Sequence, residues 1–283
     1  MTRRAESTIT TDDGLNLRRV TWLPDDDGDI AGLVVICHGL GEHVGRYENV
    51  AQALVAAGIA VTGADHRGHG RSDGLRGHVD GFSEYARDLN KVVVAFRDEH
   101  PDLQAVLFGH SMGGLISLTY NLDFPEHGLA GIAVSNPQLG LAFEPPKIKA
   151  LAGRLLSRVL PRLRLGNELD TKHISRDPAE IAAYDNDPLV HGLVSTRWFT
   201  SMGKAMAAVN GAPERMTTPA LFVLGGSDSI VSAAAGEAFA RKLEPSRTTV
   251  KVWPDSYHEP HNDLDRDEVV ATLVAWCKQR VSA

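Results

Sequence analysis

The fold of this chain is decided by one stretch, Phe108-Gly109-His110-Ser111-Met112-Gly113-Gly114. Residues 104–108 before the serine form a short, mostly apolar run typical of a buried strand, and residues 115–121 after it continue as a helix. Ser111 is therefore predicted to lie at the corner between a strand and a helix. A turn this tight leaves little room for side chains two residues on either side of the serine, which accounts for the glycines at 109 and 113.

Ser111 has the sequence surroundings of a nucleophile. A serine hydroxyl is a poor nucleophile until a base removes its proton, so it must protrude where a histidine can reach it. The pattern G-x-S-x-G also occurs by chance in loops, but its place between a strand and a helix favours the catalytic interpretation.

Length and composition limit the class of protein. With 283 residues, of which 43% are hydrophobic, the chain can build one large α/β domain or two small ones. The net charge of −7 argues against a nucleic-acid partner, which would need a basic face. Only Cys37 and Cys277 are present, far apart, so no disulfide framework is expected. We expect a cytoplasmic protein without a secretory signal or an apolar stretch of the ~20 residues that a membrane helix needs.

Strand and helix patterns alternate along most of the chain. A hairpin is predicted for residues 7–23, and a buried strand for residues 32–37. Further strands are predicted at 59–63, 131–135, 220–224 and 249–253, and helices at 47–57, 82–100, 233–243 and 267–280. This alternation predicts an α/β fold with a mostly parallel central sheet and helices on both faces.

The alternation breaks in the middle of the chain. Between residues 137 and 213 the sequence is helical, irregular and rich in proline. We therefore predict one core made of residues 1–136 and 214–283, with residues 137–213 inserted as a helical cap or lid.

Two polar residues follow predicted strands in the second half of the chain, where ligands gather in such sheets. Asp228 and His258 complete the chain order Ser, Asp, His that is typical of a triad on this kind of sheet. His258 would take the proton from Ser111 and return it to the leaving group, while Asp228 would hold the imidazole. Asp255 and His261 are the alternative acid and base.

A glycine-rich loop, His38-Gly39-Leu40-Gly41, follows the first parallel strand. Acyl transfer builds negative charge on a carbonyl oxygen, and backbone N–H groups stabilise it. The N–H groups of Leu40 and Met112 are the candidate donors of this oxyanion hole. The alternative is a simple glycine-rich turn.

Histidine is frequent in the first half of the chain, at His38, His43, His66, His69, His78 and His110. These residues lie in separate loops without the spacing of a zinc site, so we expect neither a metal nor a cofactor.

Residues 147–160, in the insertion, have the pattern of a basic amphipathic helix. One face carries Ile148, Leu151, Ala152, Leu155, Leu156 and Val159. Six basic residues and no acidic residue lie between Lys147 and Gly166. The helix either packs over the site as a lid or lies on an anionic lipid surface, and the sequence leaves both open. It also leaves the oligomeric state open.

Five motifs occur in order: HGLGEHVGRY at 38–47, ADHRGHGRS at 64–72, GHSMGG at 109–114, GSD at 226–228 and SYHEPH at 256–261. With these motifs, the chain resembles the monoacylglycerol lipase group of α/β-hydrolases. The members of this group are serine hydrolases with a cap domain, and the group also includes lysophospholipase-like enzymes. The resemblance covers nearly the whole chain.

The resemblance implies roles for individual residues. It supports Ser111, Asp228 and His258 as the triad and the N–H groups of Leu40 and Met112 as the oxyanion hole. It further implies that Glu42, Arg46 and His261 belong to the polar end of the pocket, where the glycerol moiety lies in relatives.

The sequence departs from the family pattern at two places near the site. Gly225-Gly226 replaces the common His-Gly, and Asn136 stands where relatives often have alanine. Asn136 is therefore expected to bind substrate as part of an altered pocket wall.

The sequence thus predicts a serine ester hydrolase that acts on monoacylglycerols through an acyl-Ser111 intermediate. The alternatives are a broader carboxylesterase, a lysophospholipase, and a non-catalytic protein that binds a small ligand on this fold. Epoxide hydrolases and haloalkane dehalogenases are disfavoured because they use an aspartate nucleophile. We expect a lipid or ester substrate, and transient contact of the cap with a membrane surface remains an open alternative.

Overall fold

The computed structural model describes residues 2–25, 30–142, 153 and 155–282. Within these residues, the centre of the molecule is an eight-stranded sheet. Its strands are β1 (Thr2–Thr10), β2 (Asn16–Pro24), β3 (Gly32–Cys37), β4 (Ile59–Ala64), β5 (Ala105–His110), β6 (Gly131–Ser135), β9 (Ala220–Gly225) and β10 (Thr248–Trp253). A separate two-stranded sheet consists of β7 (Arg164–Gly166) and β8 (Leu193–Ser195).

Helices connect most of the strands. They are α1 (Glu48–Ala56), α2 (Ser83–Glu99), α3 (Met112–Asp123), α4 (Pro178–Asp185), α5 (Thr196–Asn210), α6 (Ala233–Ala240) and α7 (Arg266–Val281). No helix among the residues described is long and apolar enough to span a membrane.

The strand order in the large sheet is β1-β2-β4-β3-β5-β6-β9-β10. The opening hairpin is antiparallel, β2 joins β4 antiparallel, and every later pair is parallel. The α/β prediction of a mostly parallel sheet is therefore confirmed. The parallel arrangement places the carboxyl ends of β3, β5, β6, β9 and β10 at one edge of the sheet, and the predicted site residues lie at this edge.

The sheet is covered on both faces. In β3, the side chains of Leu33 and Val35 point into one apolar cluster with α2 and α3, and those of Val34 and Ile36 point into another with α1 and α7. Both faces of β3, β4, β5, β6 and β9 are buried, which is why these strands appear in the sequence as mostly apolar runs rather than as alternating patterns. The edge strand β10 is more exposed.

The helix that follows Ser111 begins earlier than the sequence pattern predicts. It starts at Met112 and includes Gly113 and Gly114, although glycine is a poor helix former. The reason is tertiary: a Cβ atom at Gly113 would lie 2.0 Å from the carbonyl oxygen of Cys37. Because the glycines of this first helical turn have no side chains, β3 and α3 can approach each other closely.

The chain leaves the sheet after β6 and re-enters it at β9, and the intervening residues contain β7, β8, α4 and α5. The boundaries 137–213 of a cap domain stay a prediction. Of the predicted amphipathic helix, Ile148, Leu151 and Ala152 lie outside the described residues. Residues 155–159 are helical, and the side chains of Leu155 and Val159 are each 64% exposed.

Candidate active site

Ser111 lies at the sharp corner between β5 and α3. Its backbone has φ 54° and ψ −118°, a region that residues other than glycine rarely adopt. Its N–H donates to the carbonyl oxygen of Ser135 at 2.9 Å. A Cβ atom at Gly109 would lie 2.4 Å from the carbonyl oxygen of Gly113. The flanking glycines are thus required by close backbone approach, and the strained turn presents the serine at the end of the sheet.

Three loops bring Ser111, His258 and Asp228 into a continuous chain of hydrogen bonds. His258 Nε2 lies 2.9 Å from Ser111 Oγ, and His258 Nδ1 lies 2.7 Å from Asp228 Oδ2. A carboxylate accepts only, so Nδ1 is the donor to Asp228, and in neutral His258 Nε2 then accepts from the Ser111 hydroxyl. This is the arrangement that activates a serine as a nucleophile.

The environment of His258 favours its protonation. Burial lowers the pKa of this imidazole, but the charge and the hydrogen bond of Asp228 outweigh burial, and the pKa is raised above its ordinary value. The second carboxylate oxygen of Asp228 accepts from the N–H groups of Ile230 and Val231 at 2.8 and 3.0 Å. These two bonds fix the carboxylate against the imidazole.

The alternative acid and base occupy other places. Asp255 is exposed, and the carboxylate that contacts His258 is that of Asp228. His261 is buried, but the imidazole that contacts Ser111 is that of His258. His258 is thus the imidazole in hydrogen-bond contact with Ser111, and Asp228 is the carboxylate in contact with His258.

The glycine-rich loop after β3 is held at both sides of Gly39. The N–H of Gly39 donates to the Glu42 carboxylate, and His38 Nδ1–H donates to the carbonyl oxygen of Gly39 at 2.8 Å. His38 Nε2 accepts from the N–H of His66 at 2.8 Å, which fixes its tautomer. Burial lowers the pKa of His38 well below its usual range, so this imidazole stays neutral.

These bonds orient the N–H of Leu40. In a trans peptide the C=O and N–H groups point in opposite directions, so the Leu40 N–H points away from His38 when the Gly39 carbonyl is bonded to it. In the described part of the chain, neither this N–H nor that of Met112 has an acceptor. Two free donors near a nucleophile are what an oxyanion hole requires.

A buried charge network lies beside the triad. Arg46 donates to the Glu42 carboxylate at 2.7 Å and makes two bonds to Glu259 at 2.7 and 2.8 Å. Burial alone would raise the pKa of Glu259, but the Arg46 guanidinium lowers it to about 2. Burial raises the pKa of Glu42, which also accepts from the Tyr47 hydroxyl at 2.6 Å. The network joins the glycine-rich loop after β3 to the loop that carries His258.

The network also reaches α4. The Arg46 guanidinium lies 4.6 Å from the ring centre of Tyr184, a cation–π contact. His261 stacks on Tyr47 with 5.0 Å between ring centres, and both of its nitrogens are buried without a hydrogen-bond partner among the described residues. The structure thus brings Glu42, Arg46 and His261 together close to His258.

Asn136 is buried, and its side chain contacts backbone groups. Its Oδ1 accepts from the N–H of Gly225, and its Nδ2 donates to the carbonyl oxygens of Tyr257 and His258. These contacts belong to the two loops that carry Asp228 and His258.

Sequence reasoning missed His38, Glu259 and Tyr184. Glu259 directly follows His258, and a buried arginine such as Arg46 needs a carboxylate partner, so this residue could have been found. Tyr184 lies in the insertion, and no local pattern connects it to the site. Within the described ranges, no group of three or more His, Cys, Asp and Glu side chains is arranged to hold a metal ion.

Comparison with known proteins gives similar chains over most of the length. Residues 28–265 match the family described as serine aminopeptidase, S33. A monoacylglycerol lipase of Mycolicibacterium smegmatis is 32% identical over 279 residues, which cover 96% of each chain. The crystal structure of Paleococcus ferrophilus monoacylglycerol lipase is 30% identical, with a TM-score of 0.85, and the match covers 93% of this chain and 99% of that one.

A longer relative shares the same region. An abhydrolase domain-containing protein of Dictyostelium discoideum is 34% identical over 287 aligned residues, which cover 99% of this chain but 30% of that protein. The chain therefore spans less than a third of the length of this relative.

Proposed function

The chain belongs to the hydrolase family described as serine aminopeptidase, S33, and on that premise we propose that it is a serine ester hydrolase that releases a fatty acid from monoacylglycerols. The observation that carries the proposal is the unbroken contact from Ser111 through His258 to Asp228. The N–H groups of Leu40 and Met112, which have no acceptor among the described residues, support it. Two of the similar proteins are named as monoacylglycerol lipases.

Acylation follows from this geometry. His258 Nε2 takes the proton of Ser111 as Oγ attacks the ester carbonyl carbon, and the carbonyl π pair moves onto the oxygen. The N–H groups of Leu40 and Met112 stabilise that oxyanion. When the intermediate collapses, the bond to the leaving oxygen breaks and His258 gives its proton to the departing alcohol. Asp228 stays ionised and holds the imidazolium.

Deacylation repeats these steps with water. His258 takes a proton from a water molecule, whose oxygen attacks the acyl-Ser111 carbonyl carbon. The ester bond to Oγ then breaks, the proton on His258 returns to Ser111, and the fatty acid leaves.

The polar end of the pocket supports glycerol as the alcohol. Burial lowers the pKa of His261 to about 4, so at neutral pH its ring carries one N–H donor and one acceptor nitrogen. A hydroxyl group of glycerol can pair with either. Glu42 and Arg46 are paired with each other, and Arg46 is also paired with Glu259. We propose that these ion pairs fix the polar end of the pocket around His261.

The proposal extends to transient contact with a membrane surface. Exposed apolar side chains cluster at the described end of the basic segment, namely Leu155, Val159, Leu160, Leu163 and Leu165. Three arginines alternate with them, Arg158, Arg162 and Arg164, and are exposed as well. Apolar side chains flanked by cations suit the surface of an anionic bilayer, where monoacylglycerols reside.

The buried free cysteines, Cys37 and Cys277, suit a reducing cytoplasm.

The test compares substrates on wild type and on Ser111→Ala. The series consists of monoacylglycerols of rising chain length, a diacylglycerol, a lysophospholipid, a short p-nitrophenyl ester and an aminoacyl p-nitroanilide. We expect monoacylglycerols to have the highest kcat/KM and the variant to lose all turnover.

Other outcomes select among the alternatives. Highest activity on the lysophospholipid, or on the short ester alone, would replace monoacylglycerol by those substrate classes. Turnover of the anilide alone would support an aminopeptidase. Binding without Ser111-dependent turnover of any substrate would leave a non-catalytic ligand-binding protein.

A further inference from the structure

Asn136 lies between the two loops that complete the triad. We propose that it is a positioning residue, which fixes the loop of Asp228 against the loop of His258 and thereby sets the imidazole for proton transfer. The inference rests on the proposed function, because it concerns the catalytic use of His258.

The contacts of Asn136 bridge the two loops directly. Oδ1 accepts from the N–H of Gly225 at 2.9 Å, on the strand that leads to Asp228. Nδ2 donates to the carbonyl oxygen of His258 at 2.9 Å and to that of Tyr257 at 3.2 Å. The backbone N–H of Asn136 also donates to the carbonyl oxygen of Val223 at 2.9 Å. One side chain therefore satisfies polar groups on the last residue of β9 and on the loop that carries His258.

The close approach of the loops explains why an amide is needed there. A Cβ atom at Gly225 would lie 2.2 Å from the carbonyl oxygen of Tyr257 and 3.1 Å from Asn136 Nδ2. Asn136 is 1% exposed, so water does not reach these polar groups in its place. Replacing the amide by a methyl group would leave a buried N–H and two buried carbonyl oxygens without their bonds.

The backbone of Asn136 points to the same role. Its φ is +39°, and asparagine is among the non-glycine residues that tolerate this region best. Asn136 and Gly225 are in direct contact through the side-chain amide of Asn136. This amide is thus used by backbone groups next to the triad, and the expected contact of Asn136 with substrate stays a prediction.

The consequence for catalysis is geometric. The His258 carbonyl is held by Asn136 while the imidazole spans 2.9 Å to Ser111 and 2.7 Å to Asp228. A misplacement of about 1 Å in a catalytic group can cost ~100-fold in rate. Loss of the Asn136 amide should act on the chemical step, because it displaces His258 and leaves the substrate pocket in place.

The experiment compares Asn136→Ala and Asn136→Gly with wild type. We expect kcat on a p-nitrophenyl ester to fall ~10- to 100-fold in both variants while KM changes less than about twofold. The acid-side midpoint of the pH profile should move to lower pH, because a weaker contact with Asp228 raises the His258 pKa less. The glycine variant relieves the positive φ, so it should be the more stable of the two and equally slow.

Asn121→Ala is the matched control. Asn121 is also a buried asparagine that bridges separate segments, since it contacts His127, Met216 and Thr218 far from the triad. This variant should unfold at lower temperature with unchanged kcat and unchanged pH midpoint.

Several results would overturn the proposal. It fails if both Asn136 variants keep wild-type kcat, if KM rises instead of kcat falling, or if Asn121→Ala slows turnover equally. A second measurement, the rate at which a fluorophosphonate labels Ser111, reports the reactivity of the serine without any acyl substrate. Normal labelling of the variants refutes the positioning role, whereas absent ester turnover with rapid labelling of wild type refutes the proposed function alone.

Discussion

Replacement of Arg46 by methionine should leave two buried carboxylates, those of Glu42 and Glu259, without the cation that pairs with both of them. Arg46 is the cation that pairs with both Glu42 and Glu259, and all three side chains are nearly inaccessible to solvent. Methionine keeps most of the apolar stem and removes only the charge. Because a buried ion without its partner is costly, we expect Arg46→Met to lose about 3–5 kcal/mol of unfolding free energy near neutral pH.

The pKa of Glu259 gives a second measure of the same interaction. The lowering of the Glu259 pKa from its ordinary value to about 2 means that the ionised carboxylate stabilises the folded state by roughly 3 kcal/mol. In wild type this contribution is complete above pH ~4.3, the unfolded pKa, and is lost as the pH falls toward 2. For a chain of this size, a loss of 3–5 kcal/mol lowers Tm by roughly 6–15 °C.

The sign of the pH dependence reverses in the variant. Without the guanidinium, burial raises the folded pKa of the carboxylates above the unfolded value, so protonation favours the folded state. Denaturant unfolding of wild type and Arg46→Met between pH 8 and pH 5 should therefore show a difference in unfolding free energy that narrows on acidification.

Arg266→Met provides the control. Arg266 also pairs with two carboxylates, those of Asp177 and Glu180, but its side chain is 35% exposed. This variant should lose less than about 1 kcal/mol, with no narrowing at low pH. Equal losses in the two variants, or a loss in Arg46→Met that is the same at pH 8 and pH 5, would refute the reasoning.

Three further predictions concern catalysis and the surface. Asp228→Asn should lower kcat by roughly 10⁴-fold, and the wild-type kcat/KM should fall as the pH drops through the raised pKa of His258; a flat acid-side profile would contradict this. Gly113→Ala should lower kcat by ~100-fold or more, because its Cβ would lie 2.0 Å from a carbonyl oxygen of β3, whereas Gly203→Ala, in open space on α5, should keep wild-type rates in the same assay. Val159→Asp should weaken sedimentation with anionic vesicles and leave turnover of a soluble short ester unchanged; undiminished sedimentation would remove this part of the surface from the membrane contact.

The sequence by itself predicted the α/β architecture, and it named Ser111, Asp228 and His258 as the candidate triad with Asp255 and His261 as alternatives. Apolar runs such as residues 32–37 are typical of strands buried on both faces of a parallel sheet, and the carboxyl ends of its strands meet at one edge. Chain order and placement after strands therefore favoured Ser111, Asp228 and His258 as partners. The fold prediction is confirmed because it depends on local pattern and on sheet topology, whereas the catalytic roles of the three residues stay a prediction.

Only the tertiary structure decided which polar groups pair across loops. Asp228 rather than Asp255 reaches His258, Arg46 pairs with both Glu42 and Glu259, and the Asn136 amide contacts backbone groups of two separate segments. A hydrogen bond depends on a few tenths of an ångström between atoms that are far apart in the chain, and no local pattern encodes that separation. Residue types can predict that buried charges and amides need partners, but the choice of partner is set by how closely the loops pack.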